Sequence, residues 1–149
     1  RTRVVFVIHK NNNMINWLKR TDLILVLALI LLAISLGTII DFLTHTLDPR
    51  FSVPDSYFPH KIFYGTLWSL AGYLIFRRYL TTPLRTALVI SAVPAVLLQT
   101  MYYIQGHLLT WVVILFLVLH FLMFFIFAFY FCKRYWKVFN PEVADGSLV

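Results

Sequence analysis

Long stretches of this chain carry no polar residue at a spacing that would turn one face of a helix or strand toward water. Leu23-Ile24-Leu25-Val26-Leu27-Ala28-Leu29-Ile30 opens the first, which extends to about Thr46. Three more run from about Lys61 to Phe76, Leu84 to Ile104 and Leu108 to Cys132. Roughly 20 apolar residues cross ~30 Å of hydrocarbon as a helix. Strands of a membrane barrel would alternate with a period of two, and these runs do not. A helix also satisfies its own backbone hydrogen bonds, which lipid cannot do for it. The pattern predicts an all-α integral membrane protein, with four transmembrane helices in an up-down bundle.

The residues between the runs predict its orientation. Arg1, Arg3, Lys10, Lys19 and Arg20 precede the first run, Arg77, Arg78 and Arg85 separate the second from the third, and Lys133, Arg134 and Lys137 follow the fourth. Eleven of the 13 basic residues thus fall on one side, with Arg50 and Lys61 on the other. The excess of Lys and Arg on cytoplasmic loops places both termini in the cytoplasm of a multi-pass cell-membrane protein. Trp17, Tyr79, Tyr135 and Trp136 supply interfacial aromatics at that level.

Composition narrows the class further. Among 149 residues, 60% are apolar, 17% aromatic and 13% charged, against roughly 25% charged in soluble domains. That excludes disorder, a coiled coil and a water-soluble core. The net charge of +7 is scattered between apolar runs without a contiguous basic stretch, so no nucleic-acid partner is expected. A single cysteine, Cys132, excludes an internal disulfide framework and a thiolate metal cluster. Residues 1–22 read as a cytoplasmic or interfacial segment, in which 1–13 form an upstream extension if Met14 is the natural start. Residues 23–137 read as the membrane domain and 138–149 as a polar tail. The first span is too long, and lacks the small-residue cleavage site, for a removable signal peptide.

Candidate chemistry gathers at the non-cytoplasmic face. Asp41, His45, Asp48, Asp55, His60 and His107 all fall at helix ends or connections on that side, with His120 deeper and His9 in the N-terminal segment. Asp41 and His45 are four apart, so they share a helix face about 6 Å apart along the axis. A carboxylate at this depth costs roughly 2.5–3.5 kcal/mol and needs a partner. A metal ion shared by Asp41, His45 and His60 would supply one, and such a donor set suits copper, zinc or ferrous iron. The same residues have plainer readings. Asp41 and His45 can bond each other at a helix end, His60 can be a solvated loop residue, His107 can belong to a turn, and His120 can be buried against another helix. No P-loop, dinucleotide glycine fingerprint, nucleophile elbow or H-E-x-x-H sequence is present.

In their order, these residues resemble the C subunit of the copper membrane monooxygenases, the particulate methane and ammonia monooxygenase family. That subunit has an Asp-x-x-x-His motif near the outer end of a helix, then a proline-containing turn and a histidine opening the next helix. Here the stretches are Asp41-Phe42-Leu43-Thr44-His45 and Asp55-Ser56-Tyr57-Phe58-Pro59-His60. The family's later Asn-x-x-x-His motif corresponds to Tyr103-Ile104-Gln105-Gly106-His107, with His120 thirteen residues on. The gap from His45 to His60 is two residues longer than the family's usual spacing. Tyr103 replaces the asparagine, with Gln99 or Gln105 as candidate substitutes. The apolar Val112-Val113-Ile114-Leu115 replaces an acidic pair.

The resemblance implies copper at Asp41, His45 and His60, facing the extracytoplasmic side. It also implies a second metal site at Tyr103, His107 and His120, and the departures predict that this one is empty or weak, with His120 neutral and bonded to another helix. It implies A- and B-type partner subunits in a trimer of heterotrimers, a lipid surround, and oxygen-dependent hydroxylation of methane, ammonia or a short alkane. A haem-binding subunit, ligated for example by His60 and His107, and a non-catalytic small subunit of another membrane complex are the alternatives.

Overall fold

The computed structural model describes residues 20–47, 53–106 and 110–140. His9, Asp48, Arg50, His107, the N-terminal segment before Arg20 and the tail after Asn140 lie outside the described residues. Four long helices account for most of the rest: α1 (Arg20–Leu47), α2 (Tyr57–Phe76), α3 (Pro83–Ile104) and α4 (Thr110–Arg134). A 3₁₀ turn at Arg77–Tyr79 joins α2 to α3, and a single-turn helix α5 (Trp136–Phe139) follows α4. There is no strand among the described residues. Three segments are long and apolar enough to cross a membrane, Leu23–Leu47, Pro83–Ile104 and Trp111–Arg134. α2 is more polar than these.

Each long helix packs on two others: α1 on α2 and α4, and α3 on α2 and α4. The stripes that meet inside recur at helical spacing, as in Val26, Ile30, Ala33, Ile34, Thr38 and Asp41 on α1. On α2 the stripe is Lys61, Gly65, Thr66, Ser69, Gly72 and Tyr73. The opposite faces carry exposed Ile24, Leu31, Phe63, Ile75, Ile114 and Ile126. Polarity is therefore inverted relative to a soluble bundle. Thr38, Asp41, Lys61, Thr66, Ser69, Thr86, Ser91, Gln99 and His120 are buried, and the outer surface is hydrocarbon. That arrangement is stable where the surroundings are lipid.

Two close approaches depend on small residues. A Cβ at Gly37 of α1 would stand 2.7 Å from Phe124 Cδ1 and 3.0 Å from the Met123 carbonyl oxygen of α4. One at Gly72 of α2 would meet Val93 of α3 at 3.0 Å. Pro94, inside α3, has no N–H to give the Ile90 carbonyl four residues earlier. Ser69 of α2 occupies that gap: its Oγ is 2.7 Å from Ile90 O and 2.7 Å from Gly65 O of its own helix. One hydroxyl proton is shared between a carbonyl within α2 and one freed in α3.

α3 begins as its sequence dictates, with Thr82 as N-cap accepting from Arg85 N at 3.3 Å and Pro83 at the first position. The main displacement from the sequence pattern is at α2, which starts at Tyr57, a full turn before Lys61. Pro59 lies in the first turn, where its missing N–H would have had no intrahelical acceptor. Phe58-Pro59 is thus inside the helix and not its boundary.

Candidate functional site

The carboxylate of Asp41 is the centre of a cluster that draws one residue or more from every long helix. It is six residues from the end of α1, or about 9 Å at 1.5 Å per residue. Lys61 lies four residues into α2 and Gln99 five before the end of α3, which gives them nearly the same depth. Lys61 Nζ is 2.6 Å from Asp41 Oδ2, with both side chains out of contact with solvent at 0% and 1% exposure. His120 Nε2 of α4 is 3.1 Å from Asp41 Oδ1. On its other side His120 Nδ1 meets Gln99 Nε2 of α3.

One proton arrangement satisfies this chain. A carboxylate can only accept, so His120 donates through Nε2–H to Asp41 and its Nδ1 accepts from the Gln99 amide. A neutral imidazole meets both bonds. Lys61 has aromatic company besides its carboxylate: Nζ is 5.4 Å from the Tyr57 ring centroid and 5.7 Å from that of Phe124. Ring faces are electron-rich and add to the attraction for a desolvated ammonium.

His45 is where helical spacing puts it, with Nε2 3.6 Å from Asp41 Oδ2. Its ring lies parallel to Phe116 at 6.0 Å, and Phe116 in turn stacks on His120 at 5.8 Å. The remaining sequence-derived candidates go elsewhere. His60 is exposed, with its ring 6.2 Å from Tyr64, and it is not among the groups around Asp41. Tyr103 is 51% exposed at the end of α3. His107, its expected companion, lies outside the described residues.

The structure thus brings together Asp41, His45 and His120 and leaves His60 exposed. Lys61 and Gln99 complete the cluster. Sequence reasoning put Lys61 at a helix end, and noted Gln99 only as a substitute for a missing asparagine. The available signal was the stripe Lys61, Gly65, Ser69, Gly72, which places lysine on the same face as the small residues that let helices approach.

A carboxylate this deep needs a compensating charge, and a lysine ammonium supplies it where the sequence pattern suggested a metal ion. Among the described residues no three His, Cys, Asp or Glu side chains are arranged to hold a metal. Comparison with protein families, curated proteins and solved structures found no match to this chain.

Proposed function

We propose that this chain is a four-span, non-catalytic subunit of a larger assembly in the cell membrane, closed at its extracytoplasmic end by the charged cluster, with both termini in the cytoplasm. The observation that carries the reading is the meeting of Asp41, Lys61, Gln99 and His120 from four helices, with the buried charges compensated inside the protein. Apolar contact does not discriminate helix from lipid in a membrane, so a polar junction of this kind selects the partners and register of the helices. α2 spans on this reading because its 20 residues reach about 30 Å. Its polar side chains Lys61, Thr66, Ser69 and Tyr73 are buried within the bundle. The eleven basic residues on one side support the orientation.

A second reading is a C-type subunit of a copper-dependent oxygenase, acting with A- and B-type partners on methane, ammonia or a short alkane. One observation favours it: two imidazole Nε2 atoms, of His45 and His120, face one carboxylate. On this reading Lys61 Nζ, 2.6 Å from Asp41 Oδ2, would have to give up its place to the metal.

A double-mutant cycle separates the two. Lys61→Met and Asp41→Asn, measured singly by thermal unfolding in detergent, are each expected to cost about 3–5 kcal/mol, because each leaves one group buried without its partner. Together they are expected to recover most of that loss. Singles whose costs simply add in the double would refute the junction. One copper per chain in the wild type, lost in Asp41→Asn and His45→Ala, would favour the oxygenase subunit.

A further inference from the structure

The end of the bundle away from Asp41 gathers cations that are scattered in the sequence. α3 and α4 pack against each other, and the Gln99–His120 contact lies 14 residues from Arg85 on one and 14 from Arg134 on the other, so in an up-down pair Arg85 shares a level with Lys133 and Arg134. Two bonds tie the C-terminal stretch to the same place. Asn140 Nδ2 donates to Leu80 O at 3.3 Å, and Tyr73 OH donates to Phe139 O at 2.7 Å. Leu80 and Phe139 are buried at that join, while Arg78, Arg85, Lys133, Arg134 and Lys137 are exposed around it.

Neither Asp41 nor Asp55 forms an ion pair with any of these five cations. Both of those carboxylates belong to the opposite end. Two of the guanidinium groups lie against rings: Arg78 is 4.6 Å from the centroid of Tyr79 and Arg134 is 5.8 Å from that of Tyr135. Arg85 Nη1 donates to Thr81 Oγ1 at 3.1 Å. A guanidinium held on a ring or a hydroxyl keeps its remaining N–H groups directed outward in one plane, the geometry that recognises phosphate oxygens. The positive end of the α3 dipole points the same way.

Just inside this ring of charge the surface is apolar, with Ile75 70%, Leu84 49% and Tyr130 60% exposed. A matching ligand therefore carries an anionic head and a hydrocarbon body. We propose that the α2–α3 turn and the end of α4 bind the headgroup of an anionic phospholipid, its phosphate held by Arg78, Arg85 and Arg134 and its acyl chains lying on the apolar surface beside them. This site stands apart from the Asp41 cluster and does not depend on that cluster's role.

The test uses the full chain in a neutral detergent, with unfolding followed by tryptophan fluorescence. Short-chain phosphatidylglycerol, phosphatidylcholine with the same chains, and inorganic phosphate are titrated in separate arms. Phosphatidylglycerol is expected to raise the unfolding midpoint, and the other two to leave it unchanged. In Arg78→Gln/Arg85→Gln/Arg134→Gln the half-saturating phosphatidylglycerol concentration is expected to rise about fivefold for each cation removed, and the corresponding triple lysine variant, which keeps the charge but not the planar fork, is expected to recover only part of the response. An equal rise with phosphatidylcholine would mean that the chains alone bind. An equal rise with inorganic phosphate would mean a free-anion site. A glutamine variant that responds like the wild type would remove these residues from the site. Each of these three results overturns the proposal.

Discussion

At the end of the bundle that holds Asp41 a charge pair is turned inward, and at the end that holds Arg78 and Arg134 the cations are turned outward. The first end matches a carboxylate to an ammonium at 2.6 Å and leaves neither in contact with solvent. The second presents five exposed cations, three of which have an aromatic ring or a hydroxyl for a neighbour. The difference is one of where compensation comes from. A buried pair must be completed by the protein, since hydrocarbon offers nothing to an ion. Cations at the headgroup level can leave their counter-charge to the membrane.

The sharpest way to break this contrast is to remove one member of the inward end. His120→Leu takes the donor from Asp41 Oδ1 and the acceptor from Gln99. It is expected to destabilise the protein by about 1–3 kcal/mol, the cost of leaving buried polar groups unpaired. His120→Gln, which can still donate and accept, should recover part of that. Thermal unfolding in detergent measures both. A His120→Leu cost below about 0.5 kcal/mol would mean that water enters the cluster.

How much of this was readable beforehand differs between the fold and the site. The helices are legible because lipid enforces them: runs of apolar residues leave the backbone no other way to bond. The Asp41–His45 contact is legible because i and i+4 always share a face. The charge partner of Asp41 is not, and one turn of helix explains why. With Pro59 taken as a boundary, Lys61 is a rim residue. With α2 starting at Tyr57, it lies a turn inside, at the depth of the aspartate. His60, one position earlier, points about 100° away on the helix and ends up exposed. The sequence pattern put the cations on one side, but the bonds that join that end, Asn140–Leu80 and Tyr73–Phe139, span 60 and 66 residues and left no local signal.

Between the two ends lies the Ser69 hydroxyl, which serves two carbonyls and no charge. Ser69→Ala is expected to cost about 0.6–1 kcal/mol in the same unfolding assay, near the average for a hydrogen bond between membrane helices. A loss approaching that of His120→Leu would mean that the Pro94 site carries as much of the bundle's stability as the charged cluster. The smallest effect belongs to the outward end. Lys137→Gln should stay within about 0.5 kcal/mol of the wild type in lipid-free detergent, as an exposed substitution away from the core. A larger loss there would mean that this end, too, is completed by the protein itself.

The pairing of Asp41 with Lys61 also bears on how the chain enters its membrane. The two residues belong to consecutive helices, so a hairpin of α1 and α2 already contains both the negative and the positive group. Each alone would carry a cost of roughly 2.5–3.5 kcal/mol at the centre of a bilayer. Inserted as a pair, they would enter lipid with no net charge between them. Gln99 and His120, on later helices, would then join a junction whose electrostatics the first half of the chain already balances.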